Sequence, residues 1–224
     1  MTSLIIAALF LLATHVGISS TGLRPRLVAM LGERVYRAVY SVIALLAIAW
    51  LVTSWRAAPW IELWPSGPAV RHLPFLVMPL ALLMLVCGVS QPNPTAVGAP
   101  TDTPARGMLR LTRHPVMWGI ALWALVHLLA NGDLASVLFF ATFAALALIG
   151  MVALDRKRAA RDPAAWAKVA AVTSVLPLLA IAQGRQRLVP AEIGLGRTAL
   201  AVGLYAVLIV LHPWLFGVAV LPGG

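Results

Sequence analysis

The sequence predicts an all-α fold: a polytopic transmembrane bundle of about six helices. Three observations carry this. First, 61% of the 224 residues are hydrophobic and 11% are charged, with a mean hydropathy of +0.93. A water-soluble domain carries about 45–50% apolar and about 25% charged residues. Too few charges remain here to cover a water-facing globule, which excludes a soluble enzyme and a disordered tail. Second, six stretches hold the roughly 17–25 mostly apolar residues that a bilayer core demands of a helix. None alternates in the manner of a barrel strand. Third, the basic residues fall almost entirely into alternate loops. The one cysteine, Cys87, excludes an intramolecular disulfide and reads as a small apolar filler.

The first span, Ser3–Ser20, begins beside Met1. A cleaved signal peptide needs a basic leading region. No Lys or Arg precedes Arg24, so an uncleaved first helix is expected. The other spans are Arg37–Trp55, His72–Ser90, Pro115–Asn131, Leu134–Leu154 and Thr198–Gly217. Pro115 suits a first helical turn, where its missing N–H costs nothing. Asn131-Gly132-Asp133 is a tight turn that makes spans four and five an antiparallel hairpin. Gln91–Arg113, with Pro92, Pro94, Pro100 and Pro104, reads as an irregular connection. Residues 155–197 form a polar loop. Within it the apolar stretch Val169–Ala182, interrupted by Pro177, fits a short interfacial or re-entrant helix. Residues 1–224 read as one integral membrane domain without internal repeats.

The net charge is +10, from 17 Lys and Arg against 7 Asp and Glu. In a soluble protein such a balance points to nucleic acid. Here the charges sort by loop instead. Arg24, Arg26, Arg34 and Arg37 follow span one, and Arg106, Arg110 and Arg113 follow span three. Arg156, Lys157, Arg158, Arg161, Lys168, Arg185, Arg187 and Arg197 follow span five. Only Arg56 and Arg71 lie on the other side. The bias predicts cytoplasmic loops one, three and five, and periplasmic termini, in a bacterial inner membrane. The partner is the lipid bilayer and not nucleic acid. Trp55, Trp60, Trp64 and Trp214 fit an interfacial aromatic belt, with a stacking platform for a ring-bearing ligand as the alternative.

Ionisable groups inside spans are expensive and mark candidate sites. His15 lies well inside span one and His127 well inside span four, and neither span places a carboxylate deep beside them. Interhelical hydrogen bonding is one reading. Axial ligation of a haem held between helices is the other. Depth strains that pairing, since His15 lies about 8–12 Å and His127 about 18 Å from the cytoplasmic ends of their helices. Arg113 and His114 sit at the positive end of the helix that Pro115 opens, where they could hold an anionic group or anchor the helix at the interface. Asp155 ends span five on the same side and is placed to pair with Arg113 or His114, making a compact cytoplasmic-edge site. His72 and His212 read as interfacial anchors.

These features, in this order, resemble a known family. Thr14-His15-Val16-Gly17-Ile18-Ser19, Leu23-Arg24 and Leu31-Gly32-Glu33-Arg34-Val35-Tyr36-Arg37 are similar to the start of NnrU-type membrane proteins. So are Gly107 to Gly119 around Arg113-His114-Pro115, then Leu122-Trp123, His127, Leu129 to Asp133, Gly150 and Asp155. The likeness runs from about Leu4 to Phe216. It implies one of two roles: a part in denitrification, through nitrite and nitric oxide reduction, or the haem b-dependent chemistry of the ζ-carotene isomerase branch. In that branch two histidine ligands fall on His15 and His127. A cysteine near the second histidine falls on Ala124 here, while Cys87 belongs to another helix. A second resemblance, through Arg113-His114-Pro115, Trp166 and the Pro177 region, is to membrane methyltransferases of isoprenylcysteine and phospholipids. It implies S-adenosylmethionine held by Arg113, His114 and Asp155, but Asp155 stands alone where a Glu pair is expected.

Three functions follow as expectations. One is a haem-binding protein whose metal ligands are His15 and His127. Its partner would be a hydrophobic polyene or components of nitric oxide reductase. The second is a methyltransferase working at the cytoplasmic edge. The third is a non-catalytic assembly protein.

Overall fold

The structure, a computed structural model, describes residues 1–18, 21–96, 103–218 and 220. Among them there is no strand, only an isolated bridge between Glu62 and Asp133. The helices are α1 (Thr2–Leu12, prolonged by a π-helical segment, Ala13–Ile18), α2 (Leu23–Leu31), α3 (Glu33–Arg56), α4 (Pro68–Ser90) and α5 (Pro115–Asn131). They are followed by α6 (Leu134–Arg161), α7 (Pro163–Val172), α8 (Leu179–Ala182) and α9 (Leu195–Phe216). By length and composition α3, α4, α6 and α9 can each cross a membrane. α1 with its π extension meets α2 at an 80° bend, and the pair passes the same test together. α5 is shorter, with 17 residues, the lower end of the roughly 17–25 a span uses. Ser19 and Ser20, at the end of the first expected span, and Pro100 lie outside the described residues.

Helix ends follow local chemistry. α6 continues past Leu154 to Arg161, so residues 155–161 are helical rather than loop. It stops where Asp162 caps the next helix, its Oδ1 accepting from Ala165 N at 3.0 Å with Pro163 behind it. The apolar stretch Val169–Ala182 is not one helix, because α7 ends at Val172 and α8 begins at Leu179. At the α5–α6 turn Gly132 has φ +72°, and a Cβ there would strike Trp64 O and Ser66 Oγ. Asp133 Oδ1 then caps α6 by accepting from Ser136 N at 2.9 Å.

The chain forms two compact units. In the first (Met1–Pro74, Trp123–Ala153), Leu4, Ala7, Ala8 and Leu11 of α1 pack with Ala47 and Leu51 of α3, Ala124 of α5, and Ala135, Phe139, Phe140 and Ala144 of α6. Alanine at so many contacts lets helix backbones approach closely, the usual route to tight packing where lipid supplies no hydrophobic drive. Trp55 stacks on Phe139, centroids 4.9 Å apart, so it packs inward, whereas Trp60 is 67% and Trp214 83% exposed.

In the second unit (Phe75–Leu122, Leu154–Gly224), Leu82 and Val86 of α4 pack with Ala201 of α9, and Met84 and Cys87 pack with Met108. α4 and α5 meet on two glycines. A Cβ at Gly119 would lie 2.6 Å from Leu85 Cγ and 2.8 Å from Ala81 O, and one at Gly88 would lie 2.9 Å from Val116 N. Backbone atoms cannot give way as side-chain tips can. Gly119→Ala is therefore expected to destabilise the detergent-solubilised protein by about 1–3 kcal/mol. Gly203→Ala, with open space around its Cβ, should leave the thermal unfolding midpoint nearly unchanged.

Candidate functional site

Arg113 and His114 immediately precede α5, and Asp155 lies on the last turns of α6. Asp155 pairs with both, one oxygen to each. His114 Nε2 donates to Oδ1 at 2.7 Å. Arg113 reaches Oδ2 through Nε at 2.9 Å and Nη2 at 2.8 Å. Arg113 Nη1 donates to Thr173 O at 3.2 Å, and the guanidinium lies 5.6 Å from the Trp166 ring centroid. His114 is 1% exposed, and the side chains of Arg113 and Asp155 are 13% and 18% exposed. A charge removed from water this far must be paired, and hydrogen bonds between charged groups are the stronger kind.

Two chemical consequences follow. Nε and Nη1 of Arg113 already donate, Nη2 lies in ion-pair contact with Asp155, and the Asp155 carboxylate holds the place that an incoming anion would take beside His114. The second concerns His114 itself. Its Nε2–H is committed to Asp155, so in the neutral ring the lone pair is on Nδ1. That nitrogen is buried and has no hydrogen-bond partner. The pair is thus an aspartate–imidazole dyad with its acceptor nitrogen inside the protein.

A second cluster, not anticipated from the sequence, closes the neighbouring loop. Glu192 accepts from Arg110 through two parallel bonds, Nε to Oε2 at 2.7 Å and Nη2 to Oε1 at 2.8 Å, and from Gly107 N at 2.7 Å. The guanidinium and the amide hold the Glu192 carboxyl down at about 2, well below its ordinary 4.5. Gly107 has φ +56°, and its Cβ would collide with the Gln91 side chain, which itself donates to Glu192 O at 3.0 Å. The unusual conformation of Gly107 was the sole local sign. The pairing of residues 82 positions apart left none in the sequence.

His15 and His127 lie in the first unit, each half-buried. His15 belongs to the π-helical segment, a form frequent at functional positions. Its Nδ1 donates to Leu11 O at 3.0 Å, and its ring lies 5.6 Å from that of Tyr40. His127 Nδ1 donates to Trp123 O at 2.8 Å, and its ring stands 5.8 Å from Trp123 and 5.3 Å from Phe140. A carbonyl only accepts, so Nδ1 carries the hydrogen in both and the lone pair is on Nε2. That is the tautomer of a metal-binding imidazole held by its second nitrogen. Among the described residues no group of three or more His, Cys, Asp or Glu forms a metal cage. A haem would need no such cage, since one or two side-chain ligands suffice to hold its iron. Ala124, where the resembling branch places cysteine, is fully buried.

The fold and these sites define a polytopic α-helical membrane protein with two half-buried histidines in its helices and a largely buried Arg–His–Asp knot. The family model described as "NnrU protein" matches residues 3–220, and the chain belongs to that family. It is 37% identical over 82 residues to a chloroplastic 15-cis-zeta-carotene isomerase of Zea mays, covering 37% of this chain and 22% of that one. Against the chloroplastic 15-cis-zeta-carotene isomerase of Arabidopsis thaliana it is 36% identical over 88 residues, covering 36% of this chain and 22% of the relative. The aligned segment thus spans about a fifth of each of these relatives. No solved structure matches.

Two predictions arise from this geometry. Asp155→Ala leaves a buried guanidinium and imidazole without their carboxylate and should cost about 3 kcal/mol, within the range for breaking a buried pair. His114→Gln, whose amide can reach the place of Nε2, should lose less than His114→Ala, as chemical unfolding in detergent would show. The Glu192 carboxylate, depressed from 4.5 to about 2, contributes stability that is complete above pH 4.5. That contribution is lost as pH falls towards 2. Glu192→Gln should flatten the acid limb of the pH–stability curve in that window, and an unchanged limb would remove this pair as its cause.

Proposed function

We propose that the protein holds haem b through His15 and His127 and acts as a haem-dependent cis–trans isomerase on a polyene-type substrate. The observation that carries the reading is the matched state of the two imidazoles. Each is fixed by an Nδ1–H bond to the carbonyl four residues earlier, with the coordinating lone pair on Nε2. Family membership and the similarity to the two isomerases support it. The donor set fits the group: neutral imidazoles are common ligands of its iron, and the aromatic rings of Tyr40, Trp123 and Phe140 would supply an apolar, flat-sided surrounding. When bound, haem would supply a reducible iron able to interact with a conjugated double bond. The chain's own part is to orient both imidazoles by backbone hydrogen bonds, keep water out with alanine-packed helices, and admit a hydrophobic substrate from the bilayer. The denitrification role that the family suggests would ask the same two histidines to hold haem for nitric oxide instead.

The decisive experiment is the visible spectrum of protein purified from haem-supplemented cells. A Soret band is expected. It should be lost or shifted in His15→Ala and in His127→Ala, and kept in His114→Ala. Absence of the band in the wild-type protein, or a band indifferent to both substitutions, overturns haem ligation. Turnover of a 15-cis polyene then separates the isomerase from the nitric oxide reading.

A further inference from the structure

Between α7 and α8 the chain leaves the helix at Thr173 and returns at Leu179. Leu178 has φ +67°, and among the described residues no other non-glycine side chain takes that backbone form. Left-handed backbone is unfavourable for an L-residue, so the surroundings impose it. They do so by bonding the segment's polar backbone. Thr173 O accepts from Arg113 and Arg185, and Ser174 O from Arg113 N. Val175 O accepts from Thr112 Oγ1 at 2.7 Å and Trp118 Nε1 at 2.8 Å. Leu176 O accepts from Ser174 Oγ, and Leu178 N donates to Leu111 O at 2.8 Å. Pro177 brings no N–H to satisfy.

A loop facing water has no need of this, because water bonds its backbone. A segment entering lipid must satisfy its polar groups within the protein. The side chains agree. Leu176 is 54% and Leu178 53% exposed, with Leu179 beside them. The tip is tied to Leu111 and Thr112, just before the apolar helix α5 begins. Lys168, Arg185 and Arg187 are exposed on the flanking segments, and among the described residues no ion pair occupies any of them. Arg185 is itself anchored on the carbonyls of Ala171 and Thr173, which sets its charge beside the tip.

We propose that residues 173–179 are a rigid wedge that dips into one leaflet, with Lys168 and Arg187 gripping the phosphates of anionic phospholipids around it and Arg185, its guanidinium bonded within the protein, adding its charge. The leucines enter the acyl boundary, and the cations stay at headgroup level. This is the division found in interfacial elements with a basic polar face. The wedge is independent of haem ligation, and its test reads neither haem nor turnover.

Nitroxides placed by Leu176→Cys and Leu179→Cys, in a Cys87→Ala background, report depth in vesicles of phosphatidylcholine and phosphatidylglycerol. Should Cys87→Ala fail to fold, the native thiol is fully buried and the wild-type background serves. Both labels should collide with oxygen in preference to an aqueous nickel chelate, and a label at Arg161→Cys should show the reverse. A label at 176 as open to nickel as the one at 161 overturns the wedge. So does one shielded from both reagents, which would mark a protein partner on the tip. Each basic side chain near an anionic leaflet is worth about a fivefold preference. Lys168→Gln with Arg187→Gln should therefore lower the selectivity for spin-labelled phosphatidylglycerol by up to roughly 25-fold at this site. Unchanged selectivity overturns the headgroup grip.

Discussion

The Asp155 carboxylate is the tie on which the basic end of the second unit depends. It is one of only seven acids in the chain, and it lies among cations. By taking His114 on one oxygen and Arg113 on the other, it fastens the end of α6 to the start of α5. Arg113 is then held in the orientation that lets its third nitrogen and its own amide reach Thr173 and Ser174. One carboxylate thus orders three chain segments that are far apart in sequence. An apolar isostere at each position could pack as densely and avoid the desolvation of charge. It could not, however, bond the free carbonyls of the broken helix between Val172 and Leu179.

That broken helix shows how a side-chain network substitutes for helical hydrogen bonding. The carbonyls at the end of α7 lose their partners when the helix stops, as every helix end does. Water would satisfy them at a surface. Here Arg113, Arg185, Thr112 and Trp118 do so, and Gln186 reaches Val172 O as well. Glu192, Arg110, Gly107 and Gln91 apply the same logic next door, with a bidentate Arg–carboxylate bond at the centre. The polar groups of this end bond mostly to the protein itself, while its leucines point outward.

What could be read from the sequence follows from which forces are local. The spans were legible because the bilayer imposes a length and a polarity, and each apolar run answers to both. The start of α5 was legible from Pro115 and the turn at Gly132 from its neighbours, since these are properties of one or two residues. The end of α6 was not. Hydropathy fades at Leu154, but a helix persists until something caps its successor, and Asp162 does so a further two turns on. Val169–Ala182 read as one short helix despite Pro177, because the donors that hold the break open lie outside the stretch. These come from residues 112–118 and 185–186. The pairing of Asp155 was visible as a choice between Arg113 and His114. That both are taken required knowing that the carboxylate sits between them.

His15, His127 and His114 divide by which nitrogen the protein uses, and the division bears on what each can do. His15 and His127 spend Nδ1 on a carbonyl of their own helix. Such a bond costs little, recurs wherever the rotamer allows, and leaves the ring aimed away from the helix through Nε2. That is the end a ligand needs if it is to reach a group lying between helices. His114 does the opposite. It spends Nε2 on a carboxylate and keeps Nδ1, the nitrogen nearer the backbone, within the protein. A group in that arrangement is poorly placed to reach outward and well placed to hold structure or to accept from something small and internal. The same residue type therefore supports two different assignments here. They are separated by geometry that is fixed by one backbone carbonyl in two cases and by Asp155 in the third.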